Sequence, residues 1–227
     1  MLNRKTSLLF LPYRIRMCIY EIDRWISFKL TCLFKKPYFG IYLDACMQPP
    51  ERLEVMNELI ESEISKAGQD FKILEVGSWC GHSSTLWASV CNNIRASGVK
   101  DYIVPIRGTS DEMAEILKEA AFDLIYIDGD HAYSQFKRDL INYSKLCKIG
   151  GVLCGDDLPF MTTRDDLDEF FKEHKEENAV RDPITKINCC PGVFVAMKEF
   201  FGKDGVSVKD GFWAVRKSRD GWDKIQL

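Results

Sequence analysis

Two apolar runs joined by one amphipathic segment constrain the fold of this chain more than any other feature. "FDLIYID" (122–128) and "GVLCGDD" (151–157) are apolar almost throughout, as strands buried on both faces of a parallel sheet are. Between them, residues 132–147 place Phe136, Leu140, Tyr143 and Cys147 on one helical face. Lys148 and then Gly150-Gly151 read as the end of that helix. A strand–helix–strand crossover of this kind makes the two strands parallel. Both runs stop at carboxylates, Asp128 in "IDGDH" and Asp156-Asp157 in "CGDDL".

The flanking segments continue the alternation. Pro49-Pro50 opens a helix with Leu53, Met56, Ile60 and Ile64 on one face, ended by Gly68. "FKILEVGS" (71–78) reads as a strand, and "SSTLWASV" (83–90) as a helix begun by hydroxyl caps. "YIVPIRG" (102–108) reads as a strand that Pro105 confines to a sheet edge. Residues 111–120 read as a helix, 165–178 as an exposed charged helix, 191–202 as a helix, and 206–217 as a hairpin around Lys209-Asp210-Gly211. This order predicts an α/β fold, a Rossmann-like doubly wound and mostly parallel sheet with a C-terminal antiparallel hairpin. The domain is expected over residues 49–227, preceded by a basic and apolar helical extension over 1–48.

Charge bounds the partners. The net charge of −3 argues against nucleic acid. Residues 1–36 nevertheless carry eight Lys/Arg against Glu21 and Asp23, a local +6 that leaves −9 for the remainder. Residues 6–36, apolar, aromatic and basic together, suit either peripheral contact with a membrane or a helical layer packed on the domain. The packed layer is favoured, because Arg and Lys stems cover apolar surface in soluble proteins too. No run approaches the ~18 apolar residues of a spanning helix. Nine cysteines without a C-x-x-C motif or a secretory leader point to reduced thiols and a cytoplasmic setting. Cys189-Cys190 reads as a pair of cramped structural thiols ahead of a redox pair.

The chemistry gathers where strands end. In "EVGSWCGHS" (75–83), Gly77 and Gly81 bracket a turn between strand and helix, and Glu75 precedes them. Such a turn lets a ligand approach the backbone and offers an anion the free N–H groups of the next helix. It lacks the G-x-G-x-x-G spacing of a dinucleotide fold, which counts against a nicotinamide oxidoreductase. Adjacent strands lie ~4.8 Å apart, so Asp128, Asp156 and Asp157 can share one cation. An all-oxygen donor set suits Mg²⁺ or another hard divalent cation. Of the three histidines, only His131 is placed for chemistry; His82 sits in the glycine turn and His174 in the charged helix.

Together, "LEVGSWCGHS", "RGTSDE", "LIYIDGDHAY" and "GGVLCGDDL" resemble the class I S-adenosylmethionine-dependent methyltransferases, and within them the metal-dependent O-methyltransferases of the catechol, caffeoyl-CoA and antibiotic-sugar (macrocin and novobiocin) types. The resemblance spans about residues 50–217. It implies that Glu75, Gly77, Ser78, Trp79, Gly81 and Ser83 form the cofactor loop, that Ser110 lies near the adenine with Asp111 beside it, and that Asp128 borders the cofactor. It implies Asp128, Asp156 and Asp157 as metal ligands. Asp130 and His131 both match positions of a general base. The implied reaction is O-methylation of a small molecule or glycan, a sugar hydroxyl being favoured. The catechol-type reaction and a binding protein without catalysis are the alternatives. Homo-oligomerisation is open.

One departure from the family pattern is large. Its second strand ends in an acid that holds the cofactor ribose, yet only "CNNIRASGVKD" (91–101) separates Val90 from Tyr102. That strand is missing from the sequence. Either it is deleted, which puts cofactor binding in doubt, or a flexible segment is absent from the sequence as given. The second is favoured, because losing an inner strand would leave the Pro105 strand unpaired.

Overall fold

The structure, a computed structural model, describes residues 50–67, 71–77, 101–158, 168–183, 186 and 188–227, with isolated positions 15, 22, 25, 26, 29 and 33. The side chains of residues 50, 53 and 67 are outside that description. The chain divides into two compact units, Met1–Gln48 with Cys80–Arg107, and Pro49–Trp79 with Gly108–Leu227.

The second unit holds the sheet. Its elements are α1 (Pro50–Ala67), β1 (Ile73–Val76), α2 (Ser110–Ile116), β2 (Phe122–Ile127), α3 (Tyr133–Leu146), β3 (Cys147–Gly155) and α4 (Asp168–Glu173). They are followed by β4 (Val180–Arg181), β5 (Asn188–Cys189), α5 (Pro191–Phe201), β6 (Ser207–Lys209), β7 (Phe212–Lys217) and β8 (Trp222–Lys224). The main sheet runs β1-β2-β3-β7-β6, with β8 also paired to β7, while β4 and β5 pair separately. β1, β2 and β3 are mutually parallel, and β7 joins β3 antiparallel. This is the expected Rossmann-like α/β fold with a C-terminal antiparallel hairpin.

Strand periodicity sorts the core onto two faces. Ile125, Ile127, Leu153, Trp213 and Val215 pack with Phe136, Leu140 and Tyr143 of α3 and Val193, Phe194 and Met197 of α5. Leu124, Tyr126, Val152, Cys154, Phe212 and Ala214 face the other way, toward Val55 and Leu59 of α1. Each buried Leu, Ile or Val contributes about 2 kcal/mol of transfer free energy, so the two apolar layers hold the helices against both faces of the sheet. Across one edge of the α1 face, Arg216 of β7 grips Glu63 with two bonds, from Nη1 to Oε2 at 2.8 Å and from Nη2 to Oε1 at 2.7 Å.

Several local expectations need correction. The buried stripe of α1 runs through Val55, Leu59 and Glu63, and Ile64 is 44% exposed; Val55 and Leu59 pack on the sheet, and Glu63 on the same stripe pairs with Arg216. α3 stops at Leu146, and Cys147 begins β3 opposite Phe122. The strand takes Cys147 because an irregular register lets the chain pair directly. The helix expected over 111–120 ends at Ile116, and Ala120 adopts a positive φ of 49°. Within 165–178 the described helix is only α4, and Phe171 on it is buried rather than solvated.

In the first unit, residues 102–107 are not a strand, and Tyr102 and Val104 are 87% and 80% exposed. Pro105 has no N–H to give a ladder, and among the described residues nothing pairs with this segment. β1 is the last strand on its side of the described sheet. The expected helix over 83–90 and the junction between Val90 and Asn92 lie outside the described residues. Positions 15, 22, 25, 26, 29 and 33 are helical. Ile15, Ile22, Trp25, Ile26 and Leu33 are exposed there, with Lys29 Nζ 5.8 Å from the Trp25 ring centroid. No described helix is long and apolar enough to cross a membrane.

Candidate active site

Three neighbouring strands end level with one another. Val76, Ile127 and Gly155 are partners across the register, so the residues that follow them, Gly77, Asp128 and Asp156, emerge side by side at the carboxyl edge of the sheet. That edge is where open α/β sheets bind ligands. The Asp128 N–H donates to the Val76 carbonyl at 2.8 Å and carries the parallel pairing one step past the strands. Gly77 has φ +96°, and a Cβ there would lie 1.9 Å from the Asp128 carbonyl oxygen. Only glycine allows the two strand ends to close this tightly.

The three carboxylates converge. Asp128, Asp156 and Asp157 each present an oxygen, all within 4.8 Å of one another. Asp157 reaches this position with φ +60°, a left-handed conformation unusual for a residue with a side chain and tolerated best by Asn and Asp. The Asp156 side chain is nearly fully buried; Arg52 Nη1 of α1 donates to its Oδ2 at 2.9 Å, while Arg52 Nε donates to the Asp210 carbonyl at 3.0 Å. Tyr126 of β2 is on the same side. Burial pushes its phenol well above the usual range, and the charges of Asp156 and Asp128 add to the rise.

His131 meets this cluster from the loop between β2 and α3. Its Nε2 lies 3.6 Å from Asp128 Oδ1 and 2.9 Å from Asp157 Oδ2. The atom is buried and makes these approaches as charge contacts, without an aligned hydrogen bond among the described residues. Asp128, Asp157 and the Cys190 side chain together push the imidazole up to about 12, against the opposing effect of burial. Burial works to raise the Asp157 carboxyl, but His131 and the charge of Arg52 outweigh it and hold the group below its ordinary range. Without a bound cation, the surrounding carboxylates favour the protonated imidazole.

Asp130, the other candidate base, is exposed, and its Oδ1 accepts the Ala132 N–H at 2.9 Å at the entry to α3. Its observed bond is that of a local Asx turn. The loop is fixed from the far side by α5. A Cβ on Gly192 would fall 2.3 Å from the His131 carbonyl oxygen and 2.4 Å from the Tyr133 nitrogen, so glycine lets α5 press its first turn against His131.

The remaining candidates divide in two. Glu75 precedes Gly77 on β1; crowding by protein and the charge of Asp128 push its carboxyl up, although the residue keeps solvent contact. Ser110 opens α2, whose Thr109–Glu112 capping box fixes the turn. Gln135 Nε2 donates both to Ser110 Oγ and to Asp139 Oδ1, each at 3.0 Å. This ties α2 to α3 just behind the Asp128–His131 loop. Asp111 accepts from Asn142 Nδ2 at 3.3 Å. Ser78, Trp79, Gly81 and Ser83 lie outside the described residues.

Arg52 and Cys190 join the cluster without having been singled out as site residues. Arg52 is separated from Asp156 by most of the sheet in sequence, and nothing in "PERLEV" marks it. The signal for Cys190 was the vicinal pair, which points to thiol chemistry without giving a partner.

The donor set fits a hard divalent cation, since it offers carboxylate oxygens alone, from adjacent strand ends. The close turn at Gly77 fits a ligand that approaches backbone.

Comparison with known proteins supports this picture at the level of the fold. A family model described as a methyltransferase domain matches residues 91–158. No curated protein matches the chain. An O-methyltransferase from Bacillus cereus, solved in complex with SAH, aligns with a TM-score of 0.52 at 16% identity, covering 95% of this chain and 97% of that one. The O-methyltransferase TomG from Streptomyces achromogenes, involved in tomaymycin synthesis and solved with SAM, aligns with a TM-score of 0.51 at 15% identity, covering 87% and 98%. The chain spans only half the length of MycE, a methyltransferase of mycinamycin biosynthesis solved with Mg and SAH (TM-score 0.40, 15% identity, 75% of this chain covered).

Proposed function

We propose that this chain, whose fold is that of the class I methyltransferases, is an S-adenosylmethionine-dependent O-methyltransferase that uses Mg²⁺ or another hard divalent cation. The observation that carries the reading is the convergence of Asp128, Asp156 and Asp157 with His131 beside the close turn at Gly77. The SAM and SAH found in the structural neighbours support the choice of cofactor.

Asp128, Asp156 and Asp157 would hold the cation. When bound, it would supply charge stabilisation for an acceptor hydroxyl losing its proton and would neutralise the carboxylates that keep His131 protonated. The sulfonium of S-adenosylmethionine would supply the methyl group.

The chain's own residues prepare the rest. Arg52 anchors Asp156, so that one carboxylate keeps its direction. His131 Nε2, held against the cluster by the Gly192 contact, is the atom placed to take the hydroxyl proton. Asp130 shapes the loop that carries His131. Glu75 and Gly77 border the cofactor side, and Ser110, fixed through Gln135, the side expected to meet the adenine. The gain would come chiefly from holding acceptor and methyl donor in line.

A sugar or similar polyol is the favoured acceptor, because Asp128-Gly129-Asp130 and the Asp156-Asp157 pair resemble the antibiotic-sugar type more than the catechol type. The exposed Ile15, Ile22, Trp25, Ile26 and Leu33 support a peripheral membrane contact for the N-terminal segment.

Calorimetric titration of the full chain with S-adenosylmethionine, with and without Mg²⁺, tests the reading. Binding is expected, followed by methyl transfer to a panel of polyols and catechols only when Mg²⁺ is present. Absence of binding under both conditions would leave a methyltransferase fold used as a scaffold.

A further inference from the structure

Behind the carboxylate cluster lies a second donor set of different chemistry. His131, Asp157 and Cys190 each present a ligand atom, an imidazole nitrogen, a carboxylate oxygen and a thiol sulfur, all within 4.8 Å of one another. They come from three separate places in the fold: the loop after β2, the turn after β3 and the N-cap of α5. We propose that these three side chains form a binding site for a borderline divalent transition metal of the Zn²⁺ or Co²⁺ class, distinct in chemistry from the carboxylate site and sharing Asp157 with it.

Three observations carry the assignment. First, the donors are mixed. A thiolate and an imidazole discriminate strongly against Mg²⁺ and in favour of Zn²⁺ and its neighbours, whereas three carboxylates do the reverse. Second, the buried Nε2 of His131 faces the set, 2.9 Å from Asp157 Oδ2, with no aligned hydrogen bond among the described residues. Third, the scaffold is stiff. Gly192 locks the first turn of α5 onto the His131 backbone, and Cys190 is the cap of that turn, at the end of the helix dipole that favours negative charge. Three protein ligands leave a fourth position for water or an acceptor oxygen, the arrangement of an open zinc site. Binding would release the thiol proton of Cys190 and the Nε2 proton of His131 to solvent, leaving both atoms free to coordinate.

Shared ligation has a consequence. Asp157 cannot serve both sets fully, and His131 would be taken out of the position proposed for the base. A transition metal at this site would therefore compete with the hard cation and arrest methyl transfer. This consequence rests on the proposed function; the site itself does not.

The test is the absorption of Co²⁺ added to the purified full-length protein. A thiolate bound to Co²⁺ gives an intense near-ultraviolet charge-transfer band that carboxylates and imidazoles do not. The expected result is a saturable band in the wild type, lost in Cys190→Ser, retained in Asp128→Asn, removed by excess Zn²⁺ and unaffected by excess Mg²⁺. Far-ultraviolet circular dichroism and thermal unfolding of Cys190→Ser establish that the variant folds, and Cys190→Ala serves if it does not. No band at saturating Co²⁺, a band undiminished without Cys190, or a band lost with Asp128→Asn would each overturn the proposal. S-adenosylmethionine binding measured on the same samples separates the two readings. A band without cofactor binding sinks the methyltransferase proposal alone, and cofactor binding without a band sinks this site alone.

Discussion

Asp157 Oδ2 stands 2.9 Å from His131 Nε2, and the contact joins the turns that follow two adjacent parallel strands. Asp157 holds this position with a positive φ, so the loop after β3 is committed to it. The carboxylate thus has two roles, as a proposed cation ligand and as the nearer partner of the proposed base. Asp157→Ala should weaken cation binding by at least about tenfold, read as free Mn²⁺ by electron paramagnetic resonance. S-adenosylmethionine affinity should change little, because that side of the site is built from β1 and α2. An unchanged Mn²⁺ titration would remove Asp157 from the ligand set.

Gly77→Ala addresses the other half of the site. The added Cβ would overlap the Asp128 carbonyl oxygen, at 1.9 Å, on a backbone with φ +96°. The β1 turn and the Asp128 loop must then separate. Strain of this kind costs about 1–3 kcal/mol. The expected outcome is a lower midpoint of thermal unfolding together with loss of S-adenosylmethionine binding by calorimetry. Full retention of both would show that neither folding nor cofactor binding requires the close approach of Gly77 to Asp128.

The contrast between these residues and the segment at 102–108 explains what could be read from the sequence. The crossover of β2, α3 and β3, and the terminal hairpin with its left-handed Asp210 and Gly211, follow from local signals: apolar runs, helical periodicity and turn residues. Asp128, Asp156 and Asp157 stood out because strand ends are identifiable, and parallel register then brings them together. Residues 102–107 carry strand-like composition, but a strand needs a partner, and composition does not supply one. Arg52 and Cys190 were hidden for a related reason. Each meets the cluster through tertiary packing, Arg52 across the α1 face and Cys190 through the Gly192 contact, and neither approach leaves a mark in the neighbouring sequence. Ile64 was misplaced because the stripe that packs on the sheet runs through Val55 and Leu59 to Glu63, and helical periodicity of apolar residues does not register a buried carboxylate paired with Arg216.

That pair makes a pH-dependent contribution to stability. Glu63 is 5% exposed, and two bonds from Arg216 hold its carboxyl below the ordinary range, against the opposing effect of burial. The unfolded chain therefore binds this proton more readily than the folded one. The contribution is complete above the ordinary carboxylate range of about 4.3 and is lost as pH falls through the lower folded value. Glu63→Gln should lower stability by about 1–3 kcal/mol at neutral pH, with the difference from wild type shrinking in acid. Urea unfolding at a series of pH values reads both effects, and a difference that stayed constant with pH would rule out the ionised pair as its source.

Asp139 works in the opposite direction. It is 1% exposed on α3. Its Oδ1 accepts from Gln135 Nε2, but its Oδ2 has no hydrogen-bond partner among the described residues. That oxygen faces Gly129, where a Cβ would come within 3.2 Å of it. Burial pushes the carboxyl up, partly offset by the hydroxyl of Ser110 and the amide of Gln135. Here the folded chain retains the proton more readily than the unfolded one. No stability is lost below the ordinary carboxylate range, and stability falls as pH rises from that range through the raised folded value. Asp139→Asn keeps the shape, keeps an acceptor for Gln135 and removes the buried charge. The variant should be at least as stable as wild type at neutral pH, and its advantage should vanish as the pH is lowered toward about 4. Denaturant unfolding of the two proteins at neutral and acidic pH decides the matter. A variant less stable by more than about 2 kcal/mol at neutral pH would mean that the ionised carboxylate is needed where it stands, with a partner yet to be bound.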